Sequence, residues 1–115
     1  MGDFKKLHVW QKAKDLSVNV YKLTDSEQFN RDFGLKDQMR RSSVSIPSNI
    51  AEGAGRGKKE MSHFLTIAIG SSFELETQLI LSKETEYLNE QLFSQTNSIL
   101  DEVQKMLFGL QKSLQ

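Results

Sequence analysis

The sequence predicts an all-α protein, an antiparallel up-down four-helix bundle formed by a single domain over residues 1–115. Four stretches repeat apolar residues every three or four positions, the pattern of amphipathic helices. The connections between them are short, which makes consecutive helices antiparallel neighbours, and no stretch alternates long enough to form a strand. The predicted helices cover about 7–24, 33–55, 58–87 and 90–113.

Composition limits the class of protein. The chain has no cysteine, which excludes a disulfide framework and fits a reducing, cytoplasmic location. No uninterrupted apolar run approaches the roughly 18 residues of a membrane span, so we expect no membrane partner. Residues 1–60 carry twelve Lys/Arg and eight Asp/Glu, net +4, while residues 61–115 carry three and seven, net −4. The halves can attract each other within a bundle or between subunits, or the basic half can meet phosphate.

The first helix and the segment after it differ in pattern. The helix places apolar residues four, three, four and three positions apart: Val9, Ala13, Leu16, Val20 and Leu23. Residues 24–33 break this period and cluster Asp, Ser and Asn, which predicts a loop. We expect Phe29 and Phe33 to pack back onto the helices, and either Asn30 or Asp32 to cap the next helix.

Residues 39–57 are unlike the rest of the chain, because they hold its only proline, Pro47, and three of its seven glycines. A proline within a helix removes the hydrogen bond to the carbonyl four residues back, here that of Ser43. Either the helix ends near Ile46 and restarts at Pro47, or it continues with a kink. We favour the kinked helix, with serine hydroxyls satisfying the freed groups, because the apolar period is kept on both sides.

The small residues of this second helix predict close packing. Gly53 lies on its apolar face, where a larger side chain would overpack a neighbour at a cost of roughly 1–3 kcal/mol. Asn49 is expected in the polar network beside Pro47. The glycines Gly53, Gly55 and Gly57 are expected to end the helix.

The third helix has two apolar stripes and the fourth has one broad stripe. The main stripe of the third comprises Met61, Leu65, Ala68, Ser72, Leu75, Leu79 and Ser82. Its second stripe is Ile69, Phe73, Ile80 and Tyr87, which indicates either a subunit interface or a broad core face. The seam of the fourth is Leu92, Thr96, Ile99, Val103, Met106, Leu110 and Leu114, flanked by Phe93, Leu100 and Leu107.

Catalytic patterns are missing from the sequence. Glu60 and His63 form an E-x-x-H, but a di-metal site needs this motif twice, and the other histidine has Lys5 three positions before it. Glu74 and Glu76 point about 200° apart on a helix and cannot act from one face. We therefore expect no enzyme, no metal and no cofactor.

The arginines carry the sharpest polar signal, since arginine binds carboxylate and phosphate alike. Arg40 and Arg41 have two interpretations. The structural one pairs them, within the bundle or across a subunit boundary, with Glu52, Glu74 or Glu76. In the functional interpretation they bind nucleic acid, together with the basic residues at the turn between the second and third helices, which are Arg56, Lys58 and Lys59.

In several of these stretches the chain resembles the four-helix-bundle family of 23S rRNA-intervening sequence proteins. The resemblance covers most of residues 7–88, and its most specific piece is S-I-P-S-N-I-A-E-G at 45–53. Other matching pieces are residues 7–13 (LHVWQKA), 33–35 (FGL) with Gln38, Arg40 and Arg41, 64–65 with 67–68 and 70–71, and 74–79 (ELETQL). The chain departs from the family in lacking a Ser or Thr after Arg56 and a proline near Phe29.

The resemblance implies an antiparallel bundle that assembles as a ring, with a homopentamer expected, and a poorly defined function. Members occur as reading frames inside intervening sequences of bacterial large-subunit rRNA genes. A similar fold serves as the accessory protein of diversity-generating retroelements, which binds a reverse transcriptase and nucleic acid. The expectation is therefore a non-enzymatic homo-oligomer that binds RNA or a ribonucleoprotein through a basic surface. The alternative is a scaffold for a protein partner, in which the arginines are structural.

Overall fold

A computed structural model describes residues 3–115 of the chain and contains only helices over that range. A 3-10 helix, Phe4–Lys6, precedes α1 (His8–Leu23), α2 (Glu27–Arg31), α3 (Phe33–Ala54), α4 (Lys58–Glu84) and α5 (Glu90–Ser113). The all-α prediction is confirmed, and the four long helices lie where four were predicted. Residues 1 and 2 of the predicted domain lie outside the described range.

The long helices pack in a closed cycle. α1 contacts α3 and α5, and α4 contacts the same two helices from the other side. The result is an elongated body of 43 × 21 × 20 Å. Its core is aliphatic, with one buried phenylalanine, and all seven residues of the main α4 stripe are buried as predicted.

The segment predicted as a loop contains a short helix, α2. Ser26 caps it by accepting a hydrogen bond from the Phe29 amide at 3.3 Å, and the Phe29 ring is fully buried, edge-on to Tyr87 at 5.4 Å. The Phe29 ring therefore packs back onto the helices as predicted, but the short helix that it stabilises was not predicted. Phe33 was wrongly expected to pack inward, since it is 69% exposed. Asp32 caps α3 by accepting from the Leu35 amide at 3.2 Å.

α3 passes Pro47 without interruption. Pro47 has no N–H to donate to the carbonyl of Ser43. That carbonyl instead accepts a hydrogen bond of 2.7 Å from the hydroxyl of Ser17 on α1. The helix is therefore continuous, as favoured from the sequence, and the compensating hydroxyl comes from a neighbouring helix.

Gly53 lies inside α3 and does not end it, contrary to the prediction, because the helix continues to Ala54 and Gly55 follows as its C-cap. A Cβ atom on Gly53 would stand 2.8 Å from Met61 Sδ and 3.2 Å from Met61 Cα. Such distances are shorter than van der Waals contact, so the glycine is what lets α3 and α4 approach here.

The end of α4 comes at Glu84, three residues before the predicted boundary. Glu86 has a left-handed φ of 66°. The Tyr87 amide donates to the Ser82 carbonyl at 2.8 Å, and the Glu86 amide donates to the Lys83 carbonyl at 3.0 Å. This is a Schellman cap, and it turns the chain toward Asn89, whose side chain caps α5.

The apolar faces of α4 and α5 differ from the predicted ones in part. The core face of α5 runs through Thr96, Leu100, Val103 and Leu107, while Leu92, placed on the seam by spacing, is 42% exposed. On the second stripe of α4, Phe73 and Ile80 are 47% and 41% exposed. By length and composition α4 would satisfy the requirement for a membrane span, but a helix packed in a protein core satisfies it as well.

Candidate nucleic-acid interface

One end of the molecule collects basic side chains from three separate parts of the chain. The 3-10 helix packs on α3, and the α3–α4 corner lies at the end of α3. The C-terminal part of α5 reaches the start of α4, where Gln111 donates to the Ser62 carbonyl at 2.9 Å. We call this region the basic end. Its cations, all exposed, are Lys5, Lys6, Arg56, Lys58, Lys59 and Lys112.

Charge is polarised along the long axis. The basic end holds six cations against the three carboxylates of Asp3, Glu52 and Glu60, net +3. The opposite end, residues 24–37 and 83–90, holds three cations and seven carboxylates, net −4. The asymmetry between the halves of the sequence thus becomes an asymmetry between the two ends of the molecule. A potential of this kind steers anions to one end.

The cations of the basic end have few internal partners. Arg56, just beyond the end of α3, pairs with Glu52 in the last turn of that helix and lies over the Phe64 ring at 5.0 Å. Within residues 3–115, no carboxylate stands within ion-pair distance of Lys58 or Lys59. The two lysines are therefore open to an external anion, whereas the guanidinium of Arg56 is partly committed.

Arg40 is a packing residue in this structure. Its Nε donates to the Thr24 hydroxyl at 2.9 Å, and its Nη2 donates to the Tyr21 carbonyl at 3.1 Å. Its guanidinium also lies over the Tyr21 ring, 4.4 Å from the centroid. These three contacts tie Arg40 to the C-terminal end of α1 and use two of its five N–H donors.

Arg41 faces outward and pairs with Asp37 one turn earlier, at 2.9 Å. The three carboxylates proposed from the sequence as partners of Arg40 and Arg41 either bind other residues or have no partner in the described part of the chain. Glu52 pairs with Arg56, Glu76 accepts from Gln104 at 3.0 Å, and no hydrogen bond or ion pair involves Glu74 in the described part of the chain. Within the described residues neither arginine pairs with any of the three, because Asp37 lies one helical turn before Arg41 and forms its ion pair. Pairing across a subunit boundary stays a prediction.

The five predicted contact residues do not form one patch. Arg40 lies fourteen residues before the end of α3 at Ala54, roughly 21 Å at 1.5 Å per residue, and Arg56 lies beyond that end. Arg56, Lys58 and Lys59 share the basic end with three lysines that the local sequence did not associate with them. Only the packing of the 3-10 helix and α5 brings those lysines there, so no short-range signal could have identified them.

Arg41 stands between two clefts on the outer side of α3. The larger, about 600 Å³, lies toward α1 and is lined by Tyr21, Phe33, Lys36, Asp37, Arg40, Arg41, Val44 and Ser45. The smaller, about 280 Å³, lies toward α4 and is lined by Gln38, Arg41, Ser42, Ser45, Ser71, Glu74 and Gln78. The first mixes exposed apolar groups with cations, and the second is polar.

A hydroxyl and amide network forms the wall between α3 and α4. Asn49 donates to the carbonyl and the hydroxyl of Ser45, at 2.7 and 3.0 Å, and Ser71 donates to the Ser45 hydroxyl at 2.8 Å. The Asn49 prediction is confirmed in that the side chain belongs to a polar network in this stretch. These hydrogen bonds hold the side chain of Ser45 between α3 and α4, where it lines both clefts.

Metal-binding geometry is not found among residues 3–115, which contain no group of three His, Cys, Asp or Glu side chains placed to hold an ion. Glu60 and His63 are exposed on α4. The His63 ring packs edge-on to Phe64 at 5.4 Å, in keeping with a boundary position on the helix.

The profile of one protein family, 23S rRNA-intervening sequence protein, matches residues 5–109. That match spans nearly the whole chain, including α1, α3, α4 and most of α5. The chain belongs to the 23S rRNA-intervening sequence protein family. The resemblance read from the S-I-P-S-N-I-A-E-G stretch is thereby confirmed.

A solved structure supports the family fold. It is a crystal structure of a protein with unknown function from the S23 ribosomal protein family of Bacteroides thetaiotaomicron VPI-5482. It aligns with a TM-score of 0.84 and 29% identity, over 90% of this chain and 98% of that chain. A search of curated proteins found no match.

Proposed function

We propose that this family member is a non-enzymatic, cytoplasmic homo-oligomer that binds RNA through its basic end. The observation that carries the proposal is the collection of six exposed cations, from three parts of the chain, at one end of the molecule. Because Lys58 and Lys59 have no carboxylate partner in the described residues, phosphate binding there breaks no existing ion pair. Phosphate contacts of this kind supply most sequence-independent affinity for nucleic acid.

The oligomer proposal rests on α4. Beyond its core stripe, this helix exposes Ile67, Phe73, Ile80 and Leu81, and Phe73 packs against exposed Phe108 of α5 at 6.3 Å. A helix that is apolar on most of its circumference is usually covered on more than one side. A second copy of this four-helix bundle would cover the exposed apolar face of α4. Repetition of that contact would close a ring, and we expect a homopentamer. In such a ring the basic ends would lie on one rim, where several weak phosphate contacts add as avidity.

A second candidate function is a scaffold for a protein partner, such as the reverse transcriptase bound by relatives of similar fold. The observation favouring it is the commitment of Arg40 to Thr24 and Tyr21, which makes one of the two predicted arginines structural. The scaffold places its partner on the larger cleft beside Phe33 and Val44.

The test of RNA binding is a salt titration with a structured rRNA fragment. Removing two charges in Lys58→Gln/Lys59→Gln should weaken binding at low salt and reduce the slope of log K against log salt by about 1.4 to 1.8. The matched control is Lys105→Gln/Lys112→Gln, which removes the same charge with only one member at the basic end and should reduce the slope by about half as much.

No binding by the unmodified protein at low salt would end the RNA proposal. If the unmodified protein binds RNA, light scattering and RNA titration of Arg41→Glu together separate the two candidates. An intact oligomer with weaker RNA binding supports the first function, and a dissociated oligomer supports the scaffold with a structural Arg41.

A further inference from the structure

The smaller cleft between α3 and α4 contains an unpartnered buried acceptor. Gln78, on α4, is only 8% exposed, and its Oε1 atom has no hydrogen-bond partner. It is the one such atom among the buried side chains of residues 3–115. Buried polar atoms in native proteins are nearly always paired, and an exception calls for an explanation such as an absent ligand. Gln78 lines the cleft, and a half-turn of its terminal amide, whose oxygen and nitrogen are nearly the same size, would present Oε1 to a ligand there.

Hydrogen-bond donors line the same cleft. Arg41 gives its Nε to Asp37, which leaves the terminal nitrogens of the guanidinium available to the cleft that it lines. In the Ser45–Ser71 pair the Ser45 oxygen already accepts from Asn49 and Ser71. One hydroxyl proton of the pair therefore has no acceptor, whichever serine donates.

A second acceptor completes the site. Glu74 lines the same cleft and makes no hydrogen bond or ion pair in the described structure. The cleft thus presents a carboxylate and an amide oxygen together with a guanidinium. A phosphate would be repelled by Glu74, and a simple cation by Arg41, so neither fits the whole set.

A guanine base fits this combination. Its Watson–Crick edge places two N–H donors, N1–H and the N2 amine, side by side, which matches a carboxylate in bidentate fashion. Its O6 and N7 are acceptors for arginine. The second N2 proton remains for a further acceptor. Among the RNA bases, guanine alone offers adjacent donors together with such an acceptor pair, and a cleft of about 280 Å³ has room for a single base.

We propose that the α3–α4 cleft binds an unpaired guanine. Glu74 accepts from N1–H and N2–H, Arg41 donates to O6 or N7, and Gln78 Oε1 accepts the second N2 proton. This deepens the proposed RNA binding and rests on it, because the basic end holds the phosphates while the cleft reads one base. The shared chemistry is the guanine ring, which either single-stranded RNA or a free guanine nucleotide can supply.

The experiment measures binding of short single-stranded RNAs that differ at one position, guanine, adenine or inosine, by fluorescence anisotropy. The guanine oligomer should bind roughly 5- to 150-fold more tightly than the adenine one. Inosine, which lacks the N2 amine, should lose part of that preference. Glu74→Gln and Gln78→Leu should each reduce the preference, while the matched control Glu84→Gln, on α4 outside the cleft, should keep it.

The outcomes separate this inference from the RNA proposal. Equal affinity for all three oligomers, with salt-dependent binding retained, overturns the guanine site and leaves the basic end intact. Saturable binding of guanosine monophosphate that Glu74→Gln abolishes, with no RNA binding at low salt, supports the site with a free nucleotide and defeats the RNA proposal. A change in oligomer size in Glu74→Gln overturns the inference and assigns the cleft to a contact between copies.

Discussion

Pro47 shows how one residue is accommodated by a single hydrogen bond. The ring removes a backbone donor in the middle of α3, and a buried carbonyl without a donor costs about 1–3 kcal/mol. The Ser17 hydroxyl supplies the donor for Ser43 from α1, at 2.7 Å. The serine is buried and also lies within reach of the Ala13 carbonyl, at 3.1 Å, so its position is fixed by its own helix. A proline inside a helix thus becomes a joint between two helices.

A double-mutant cycle tests this joint. Ser17→Ala should lower the free energy of unfolding by about 1–2 kcal/mol, because the Ser43 carbonyl is left unpaired. In a Pro47→Ala background the new backbone amide serves that carbonyl, and the same Ser17→Ala change should cost less, giving a coupling energy of about 1 kcal/mol. Urea unfolding of the four proteins measures it. Equal costs of Ser17→Ala in both backgrounds would contradict the joint.

Tyr87 makes stability depend on alkaline pH. Its hydroxyl donates to Asp32 at 3.1 Å, and this hydrogen bond, with burial and the negative charge of Asp32, raises the pKa of the tyrosine above its ordinary 10.0. The folded state therefore holds the phenolic proton more strongly than the unfolded state. The contribution is complete below pH 10 and is lost as pH rises through the folded-state pKa.

The comparison of Tyr87→Phe with the unmodified protein isolates this effect. The variant should be less stable at neutral pH, and the difference in free energy of unfolding should shrink as pH rises above 10. Chemical unfolding between pH 8 and about 11 checks it. Asp32→Asn should remove the same dependence while keeping an oxygen for the α3 cap. A difference that stays constant with pH would exclude the Tyr87–Asp32 contact as its source.

At the scale of helices, the contact between α3 and α4 depends on Gly53. A Cβ atom there meets Met61 and Phe64 at 2.8–3.2 Å, whereas a Cβ on Gly109 of α5 meets nothing within 4 Å. The same substitution therefore has opposite consequences at the two sites. Overpacking dominates at the first, and improved helix propensity dominates at the second.

Gly53→Ala and Gly109→Ala form the matched pair for this contact. The first should lower the free energy of unfolding by about 1–3 kcal/mol, and the second should raise it by about 0.5–1 kcal/mol. Thermal unfolding of both variants measures the difference. If Gly53→Ala were as stable as the unmodified chain, α3 and α4 would not depend on that close approach.

The positions of the long helices and the core face of α4 were predicted correctly from apolar spacing. The predictions failed where packing against other helices decides which side chains are buried. The main stripe of α4 is buried at all seven predicted positions, because apolar spacing alone identifies a core face. The core face of α5 was misplaced at Leu92, since two neighbouring apolar lines run along that helix and only its rotation against α1 and α4 selects one. α2 was missed because its stability comes from the buried Phe29 ring.

For the whole molecule, the prediction with the largest expected effect concerns the exposed apolar face of α4, which we propose as the contact between copies. Ile80→Glu places a carboxylate on that face, and desolvating it in an interface costs several kcal/mol. The oligomer should therefore dissociate in light scattering. Val18→Glu is the matched control, since Val18 on α1 is exposed to a similar degree, 47% against 41% for Ile80. An unchanged mass for Ile80→Glu would place the subunit contact elsewhere or remove it.

The distribution of charge over the folded molecule differs from its distribution along the sequence. The sequence shows a basic half and an acidic half, whereas the structure has a basic end and an acidic end, because antiparallel packing returns α5 to the start of α4. Lys5, Lys6 and Lys112 join the predicted Arg56, Lys58 and Lys59 only through that packing. Arg40, predicted in the same group, contacts the end of α1, roughly 21 Å from the C-terminal end of α3.

The sequence by itself determined the helical class, the position of the long helices and the family, because periodicity, glycine, proline and one specific nine-residue stretch are local properties. Only the tertiary structure decided which side chains meet. The Ser17 hydroxyl bonds the Ser43 carbonyl from another helix, Arg40 donates to Thr24 and to the Tyr21 carbonyl, and Gln78 is left buried with an unpaired oxygen. Helix rotation and long-range contact set these relations, and neither is written in spacing along one chain.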